Sequence, residues 1–193
     1  MRRRRGFTLI ELMMVVAIIS VIIIIAIPSM LRARMAANET SAVAGCKTIA
    51  EGEEIYRRSD RNGDGVLEYA TALSGANSLL ETTAGAQDLA IVDKTVAGAE
   101  GEPGTVAGKN GYVFKILTGQ GPAGEGGVRT YFSGAHMTTG YAISSVPSGY
   151  DLSGRSAFLL GQAGAIYLKD RGTTGVQETW YNPGAGDGWL PNQ

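Results

Sequence analysis

The sequence has few of the residues on which most enzymes and disulfide-stabilised domains depend. Among its 193 residues there are one cysteine, Cys46, and one histidine, His136. A single cysteine cannot form a disulfide within the chain, so the C-terminal region must be held by packing or by a bound metal ion. The net charge is only −1, with 17 basic and 18 acidic side chains. A charge so close to zero gives no indication of nucleic-acid binding.

Motifs for catalysis are also scarce. His136 stands next to Met137 in a predicted turn, and no nucleophile motif is near it in the sequence. A lone histidine of this kind is more often a hydrogen-bonded loop residue than a base. A Gly-x-Gly-x-x-Gly sequence occurs at residues 119–124, but more turn residues follow it where a dinucleotide site requires a helix. We therefore predict that the chain is not an enzyme.

One long apolar run stands out against this background. Residues 7–27 contain a single carboxylate, Glu11, and as a helix they would span ~31 Å, enough to cross the core of a bilayer. The arginines at positions 2–5 precede the run and favour a cytoplasmic N-terminus. An ionisable group inside a span is costly and indicates a function. The alternative is a glutamate at the interfacial end of the span, within reach of headgroups and water.

The junction between the arginines and the apolar run, residues 5–13, reads RGFTLIELM. This segment closely resembles the processing site of the type IV pilins and the type II secretion pseudopilins. In that family a prepilin peptidase cuts after the glycine on the cytoplasmic side and methylates the new N-terminal amine. The resemblance implies a cut between Gly6 and Phe7 and methylation of Phe7. It also implies that Glu11 of one subunit meets the amine of its neighbour and sets the axial register of a growing filament.

Elementary electrostatics agrees with that role for Glu11. A cut before Phe7 removes the arginines and keeps the apolar helix. The new amine would lie one helical turn from Glu11 within the same chain, at the edge of the bilayer. A paired charge in a medium of low dielectric constant is favoured over an isolated one. The carboxylate would therefore favour correct docking of subunits and penalise a shifted register.

The helix is predicted to continue past the span, to residue 58. Pro28 would kink it or weaken it locally, and pilins of the family often carry a proline at this distance from the cut. Beyond Pro28, apolar residues recur at three- and four-residue steps between Ala42 and Tyr56. A helix over residues 7–58 would be ~78 Å long. Its first half must lie in a membrane or against copies of itself, while its second half can pack under a head.

Three small residues on the second half of the helix carry separate expectations. Gly45 and Gly52 weaken a helix locally, and we interpret them as points of close packing against a sheet rather than as hinges. Cys46 lies on the apolar stripe, and we interpret it as a buried small hydrophobic residue rather than a reactive thiol.

The segment after the helix contains oxygen ligands at alternate positions. Asp60, Asn62 and Asp64 are followed by Gly65, as in the first half of an EF-hand calcium loop. The position of the bidentate glutamate holds a threonine, so a complete EF-hand is absent, although Glu68 could contribute directly or through water. The alternative is a plain turn rich in Asp, Asn and Gly that ends the helix. Structural calcium is the one cofactor that the sequence suggests.

The remainder is predicted to form a head with short helices followed by strands. The predicted helices are residues 67–73, 76–80 and 87–96, and a loop follows at 99–110. Period-two patterns then predict strands at 111–117, 128–132, 141–146, 156–161 and 165–169, arranged as an antiparallel meander. The tail from residue 172 to residue 193, which contains Trp180, Tyr181 and Trp189, is predicted to be irregular and held by aromatic packing. The alternative for the tail is a tip that binds a partner or a surface.

These elements predict an α+β, pilin-like fold with four parts: a cleaved leader at residues 1–6, a membrane and assembly segment at 7–27, an amphipathic helical half at 28–58, and a head at 59–193. The predicted function is a type IV pilus subunit, and the alternative is a type II secretion pseudopilin. The missing disulfide pair and the predicted calcium loop favour the pseudopilin, whereas the length and the Gly-rich head favour the pilus.

The resemblance also implies partners and a location. The partners are other subunits of the filament, the prepilin peptidase, the bacterial inner membrane and the filament assembly machinery. Before assembly the chain would cross the inner membrane once, with its N-terminus in the cytoplasm. After assembly it would lie in a surface pilus or a periplasmic pseudopilus.

Overall fold

The computed structural model describes residues 6–60, 64–81, 89–122, 124, 126–176 and 188–192. A single long helix, α1 (Leu9–Arg57), carries a β-rich head on its second half. Its 49 residues span ~73 Å. The helix begins two residues later than predicted because Thr8 has extended backbone and acts as its N-cap, and it ends one residue earlier, at the C-cap Arg58. The α+β, pilin-like architecture predicted from the sequence is confirmed.

The described part of the head contains twelve short strands and one further helix. In chain order these are β1 (Ala72–Ser74), β2 (Ser78–Glu81), β3 (Leu89–Ala90), α2 (Lys94–Ala97), β4 (Tyr112–Leu117), β5 (Gly119–Gln120), β6 (Arg129–Thr130), β7 (Phe132–Ser133), β8 (His136–Met137), β9 (Ala142–Pro147), β10 (Ser156–Gly161), β11 (Ile166–Asp170) and β12 (Leu190–Pro191).

The main sheet is a five-stranded antiparallel sheet in the order β12-β11-β10-β9-β4. Strands β9, β10 and β11 follow one another as a meander, as predicted from their period-two pattern. The register places Phe114 of β4 and Phe158 of β10 on either side of Ser145 of β9. The short β12 extends the sheet beyond β11, and Trp189 just before it is 6% exposed. Trp180 and Tyr181 lie outside the described residues, so the expectation for the tail is met only at Trp189.

The prediction of short helices at residues 67–73 and 76–80 is wrong. This region forms β1 and β2 of a small three-stranded sheet. Gly75 and Asn77 have positive φ angles of 104° and 53°, which interrupt any helix. The Glu100 carboxylate, 27 residues away from Leu73, accepts the backbone N–H of Leu73 at 2.8 Å and holds β1 in place. Contacts of such long range leave no local pattern in the sequence.

Two other predicted elements are divided or shortened. Of the predicted helix at 87–96, residues 89–90 form β3 and only residues from Lys94 onwards are helical, capped by the Asp93 side chain. Residues 87 and 88 lie outside the described residues. The predicted strand 128–132 is split, because β6 pairs with β5 while β7 pairs with β8.

The core lies between the second half of α1 and the main sheet. The buried residues of α1 are Ala42, Gly45, Cys46, Ile49, Gly52, Glu53 and Tyr56. A Cβ placed on Gly45 would lie 2.6 Å from Phe114 Cζ, and one placed on Gly52 would lie 3.2 Å from Leu79 Cδ1. Both glycines are therefore close-packing positions, as predicted. Cys46 is completely buried, and burial raises the pKa of its thiol to about 12, so it is a packing residue rather than a reactive thiol.

Candidate assembly site

The first half of α1 lies outside the head. Every residue from position 9 to position 31 is exposed, and most of them are Leu, Ile, Val or Met. Within α1, an 18-residue stretch has a mean hydropathy of 3.1, and none of it is buried. By its length and composition this helix could cross a membrane. A helix that is apolar on all sides without protein cover requires lipid or other helices around it.

The start of the helix is closed by a reciprocal pair of residues, Thr8 and Glu11. The Glu11 N–H donates to Thr8 Oγ1 at 3.3 Å, while Glu11 Oε2 accepts the backbone N–H of Thr8 at 2.9 Å and its hydroxyl at 2.7 Å. This arrangement is a capping box, which satisfies backbone donors that the first turn leaves unpaired. The only carboxylate in the apolar half therefore already has a structural role within its own chain.

Gly6 and Phe7 precede the cap and lie outside the helix. Phe7 is 80% exposed, and no atom comes within 4 Å of a Cβ built on Gly6. In the uncut chain the nitrogen of Phe7 belongs to a peptide bond, so its pairing with Glu11 stays a prediction about the processed chain. Arg2–Arg5 lie outside the described residues.

Pro28 lies inside α1, and the helix continues on both sides of it. Proline removes one backbone donor and crowds the preceding turn. The surrounding residues of the helix are exposed, and Pro28 lines an open groove together with Asp151 and Arg155 of the head. Pro28 therefore marks a position in the free half where the hydrogen bonding of the helix is incomplete.

The head is attached to α1 from residue 38 onwards. Asn38 Nδ2 donates to the carbonyl of Ser153 at 2.8 Å, and Glu39 Oε1 accepts the backbone N–H groups of Arg155 at 2.9 Å and Ser156 at 3.1 Å. Asn110 Nδ2 reaches Ser41 Oγ at 2.7 Å. These contacts fix the loop before β10 against the helix, and they mark the boundary between the free half and the packed half.

A second acidic residue of α1, Glu53, is completely buried in the head. Its Oε2 accepts the backbone N–H of Ala70 at 2.9 Å, while Oε1 has no hydrogen-bond partner among the described residues. Burial raises the pKa of Glu53 well above its usual range, and the nearby charges of Glu54 and Glu100 act in the same direction. Glu53 ties the helix to the chain that follows the Asp-rich segment.

The predicted calcium loop is described in part. Asp60 Oδ2 accepts the N–H of Gly65 at 2.8 Å, and Asp64 Oδ1 accepts the N–H of Val66 at 2.7 Å. Gly65 has the expected positive φ, 82°. Asn62 lies outside the described residues. The contact of Asp64 with Val66 is an Asx turn, and the contact of Asp60 with Gly65 closes the loop across five residues; both form without a metal ion.

Glu68, the fourth predicted ligand, faces a residue far away in the sequence. Its Oε2 lies 2.9 Å from Nδ1 of His136, and Asp64 Oδ2 lies 3.6 Å from the same nitrogen. In the part of the chain that the structure describes, no three His, Cys, Asp or Glu side chains are grouped so that they could hold a metal ion. Calcium binding therefore stays a prediction, which depends on Asn62 and on rearrangement of Glu68.

Comparison with known proteins bears on the free half of the helix. A family model described as "Prokaryotic N-terminal methylation motif" matches residues 1–27. The chain is 42% identical over 57 residues to the "Type IV wide pilus major component PilA4" of Thermus thermophilus. It is 36% identical over 76 residues to the "Type IV major pilin protein PilA" of Myxococcus xanthus. The chain therefore carries the N-terminal methylation motif at residues 1–27 and is similar to type IV pilins over part of its length.

The matches to these pilins are partial. They cover 30% of this chain and 44% of the Thermus protein, and 39% of this chain and 34% of the Myxococcus protein. The chain therefore spans less than half the length of the curated relatives it matches. A second family model, described as "Protein of unknown function (DUF2950)", matches residues 25–186, which include most of the head, and the chain belongs to that family. No solved structure gives a significant match.

Some contacts of the chain were not predicted from its sequence. The capping role of Thr8 could have been read, because Thr8-x-x-Glu11 before an apolar run is the capping-box pattern. The attachment of Glu39 to Arg155 and the contact of Glu68 with His136 join residues 116 and 68 positions apart. No signal in a single sequence indicates such pairs.

Proposed function

We propose that this chain is a structural subunit of a type IV pilus, processed between Gly6 and Phe7 by a prepilin peptidase and polymerised through the first half of α1. The observation that carries the proposal is the free half itself, in which residues 9–31 are predominantly apolar and all exposed. Before assembly, lipid can cover this surface. In the filament, the same surfaces of neighbouring subunits can cover one another in place of lipid.

The geometry around Gly6 supports processing at this bond. Gly6 and Phe7 lie before the N-cap, where the backbone is not hydrogen bonded into the helix. A peptidase must bind its substrate in an extended form, and a cut here requires no unwinding of α1. The product would keep the Thr8–Glu11 capping box and would gain an amine at Phe7, which the proposed methylation modifies.

The new amine and Glu11 supply the proposed register signal. Within one chain, Glu11 Oε2 is already occupied by two donors of Thr8. A carboxylate has about four acceptor positions, so it can accept the amine of a neighbouring subunit without releasing Thr8. In a filament core of low dielectric constant, a subunit out of register would leave both charges unpaired, which is strongly unfavourable.

The location and the other partners follow from the same proposal. The arginines at positions 2–5 would hold the N-terminus of the precursor in the cytoplasm, and the head would lie outside the inner membrane. Filament assembly machinery would extract the processed subunit into a surface pilus. Both curated relatives are named as major components, which supports a major rather than a minor subunit.

The second candidate function is a pseudopilin of a type II secretion system. The observation in its favour is the Asp-rich loop after α1, for which calcium binding was predicted, together with a single cysteine that excludes an internal disulfide. The names of the relatives favour the pilus. We therefore retain the pseudopilin as the alternative outcome of the experiment.

The decisive experiment examines sheared surface filaments from the native host by mass spectrometry. We expect this chain to be their main component, and we expect Glu11→Val to abolish the filaments while the subunit remains in the membrane. Glu51→Val is the matched control, because Glu51 is an exposed glutamate on the packed half of the same helix. Filaments that form normally with Glu11→Val would contradict the register signal. Filaments without this chain, combined with loss of protein export on deletion, would favour the pseudopilin.

A further inference from the structure

The loop between β9 and β10, residues 149–155, lies at the end of the head nearest the free half of α1. We call it the membrane-proximal loop. It carries Leu152, which is 75% exposed although it belongs to the head. An isolated exposed leucine needs no explanation. This one is notable for its position, because the loop lies beside the point where the apolar half of the helix ends.

The loop is a well-defined turn rather than a free segment. Gly149 accepts the N–H groups of Leu152 at 3.2 Å and Ser153 at 2.9 Å, and its own N–H donates to Ser153 Oγ at 3.0 Å. Asn38 and Glu39 of α1 then hold the loop to the helix through Ser153 and Arg155. The position of Leu152 relative to α1 is therefore fixed by hydrogen bonds on both sides.

Two open grooves show which residues of α1 lie beside the loop. Asp151 and Arg155 line one of them together with Pro28 and Leu31. Leu152 and Ser153 line the other together with Arg34. Leu31 is the last residue of the apolar half, and Arg34 is three residues further, ~4.5 Å along the helix axis. The headgroup layer on each side of a bilayer is about 5–8 Å thick. With Glu11 at one edge of the bilayer, residues 12–31 span the ~30 Å hydrocarbon core as a helix, and Leu152 then lies within the headgroup layer at the other edge.

The basic side chains of α1 beside the membrane-proximal loop are complementary in charge to an anionic lipid surface. Arg32 and Arg34 are exposed on α1 directly after Leu31, and neither forms an ion pair with another residue that the structure describes. On the loop, Arg155 Nε pairs with Asp151 Oδ1 at 2.6 Å. Arg34 lines the groove that Leu152 also lines, and Arg32 lines the neighbouring groove together with Asp151 and Arg155. Basic side chains near a membrane surface bind anionic headgroups, and apolar side chains between them insert.

We propose that the membrane-proximal loop, with Arg32 and Arg34, docks on anionic phospholipid headgroups of the leaflet from which the head emerges, and that Leu152 inserts between them. The inference rests on the membrane-spanning role in the proposed function, and it goes beyond it by giving the unassembled head a second membrane contact. The contact holds the head against the bilayer at a fixed angle to the span. It is lost when the subunit leaves the membrane for the filament.

The test uses the full-length chain, one copy per lipid nanodisc, with leucine methyl groups labelled for NMR. A paramagnetic lipid with its label in the headgroup broadens the methyl signals close to it. We expect strong broadening at Leu152 and little at Leu67, an exposed leucine after the end of α1 that serves as the control. Leu152→Ile and Leu67→Ile assign the two signals without removing the apolar side chain.

Two further comparisons keep the outcomes separate. A lipid labelled in its acyl chain must broaden Leu12; if it does not, the proposed span itself fails. If Leu12 is broadened but Leu152 responds no more than Leu67, only the present inference is wrong.

The contribution of charge is measured by changing the lipid. We expect the broadening of Leu152 to be several-fold larger in discs that contain phosphatidylglycerol than in discs of phosphatidylcholine alone. The double variant Arg32→Gln/Arg34→Gln should remove that difference. Equal broadening in both lipids with the unmodified chain would overturn the assignment to anionic headgroups.

Discussion

The ring of Phe114 lies against the backbone of Gly45, so closely that a Cβ at position 45 would be 2.6 Å from Cζ of the ring. Phe114 is 1% exposed and belongs to β4, at the edge of the main sheet. This contact sets how near the helix can approach the sheet. It explains why a residue that weakens a helix is found in the middle of α1.

Gly45→Ala should therefore destabilise the head, although alanine is the better helix former. Overpacking a close contact costs about 1–3 kcal/mol, more than the ~1 kcal/mol that alanine gains over glycine in a helix. Gly52→Ala should destabilise the head less, because the side-chain atoms nearest to its new Cβ are 3.2 Å away. Chemical denaturation of the detergent-solubilised chain should show the larger loss for Gly45→Ala. A variant as stable as the unmodified chain would show that the ring moves freely.

The fold was readable from the sequence where local patterns determine it. The apolar run and the steps of three and four predicted α1, and period-two patterns between Gly-rich turns predicted β9, β10 and β11 to within one residue at each end. The small sheet was missed because its strands are held by partners distant in sequence, as with Glu100 and Leu73. At the assembly site, Gly6, Phe7 and Glu11 were located by a motif. The contact of Glu68 with His136 could not be predicted from the sequence, because only folding brings these two residues together.

Because Glu53 is buried, we expect this residue to make the head less stable at neutral pH than at low pH, where its carboxyl is protonated. Burial raises the pKa of this carboxyl, aided by Glu54 and Glu100, and burial, together with the charge of Glu53, raises the pKa of Tyr69 and of Tyr141. Because the folded pKa is above the ordinary value of about 4.3, the folded state binds this proton more tightly than the unfolded chain does. The stability that Glu53 contributes is fully present at a pH below the ordinary pKa of the unfolded chain, and it is lost as the pH rises through the higher folded pKa.

Glu53→Gln is the matching variant. The amide oxygen can still accept the N–H of Ala70, and no charge remains to be buried. We expect the variant to be more stable than the unmodified chain at neutral pH and to lose the decline of stability with rising pH. Denaturation curves between pH 4 and pH 8 measure both effects, with the exposed Glu51→Gln as the control. A variant that is less stable at every pH would show that the charged form of Glu53 is favourable in the head.

The calcium prediction has a direct test in thermal stability. If Asp60, Asn62 and Asp64 bind calcium, millimolar calcium should raise the unfolding temperature of the chain, because a ligand that binds only the folded state stabilises it. Asp64→Ala should abolish the increase, since it removes a ligand of the proposed shell. Asp93→Ala is the control, as Asp93 caps α2 elsewhere in the head. An unfolding temperature that calcium does not change would leave the segment as a plain turn held by Asp60 and Asp64.

Processing at Gly6 is tested by a side chain at that position. Gly6→Leu should leave the leader attached, which intact-mass measurement of the membrane fraction detects directly. The space around Gly6 is empty, with no atom within 4 Å of a new Cβ, and its φ is not in the left-handed region. The chain itself therefore accommodates leucine, and a block of cleavage must arise in the peptidase. Thr8→Ser is the control, because serine keeps the hydroxyl of the capping box two residues from the cut. If Gly6→Leu is processed as fully as Thr8→Ser, the peptidase does not recognise glycine at position 6, and the proposed processing step is wrong. That result would not bear on the proposed assembly surface of α1.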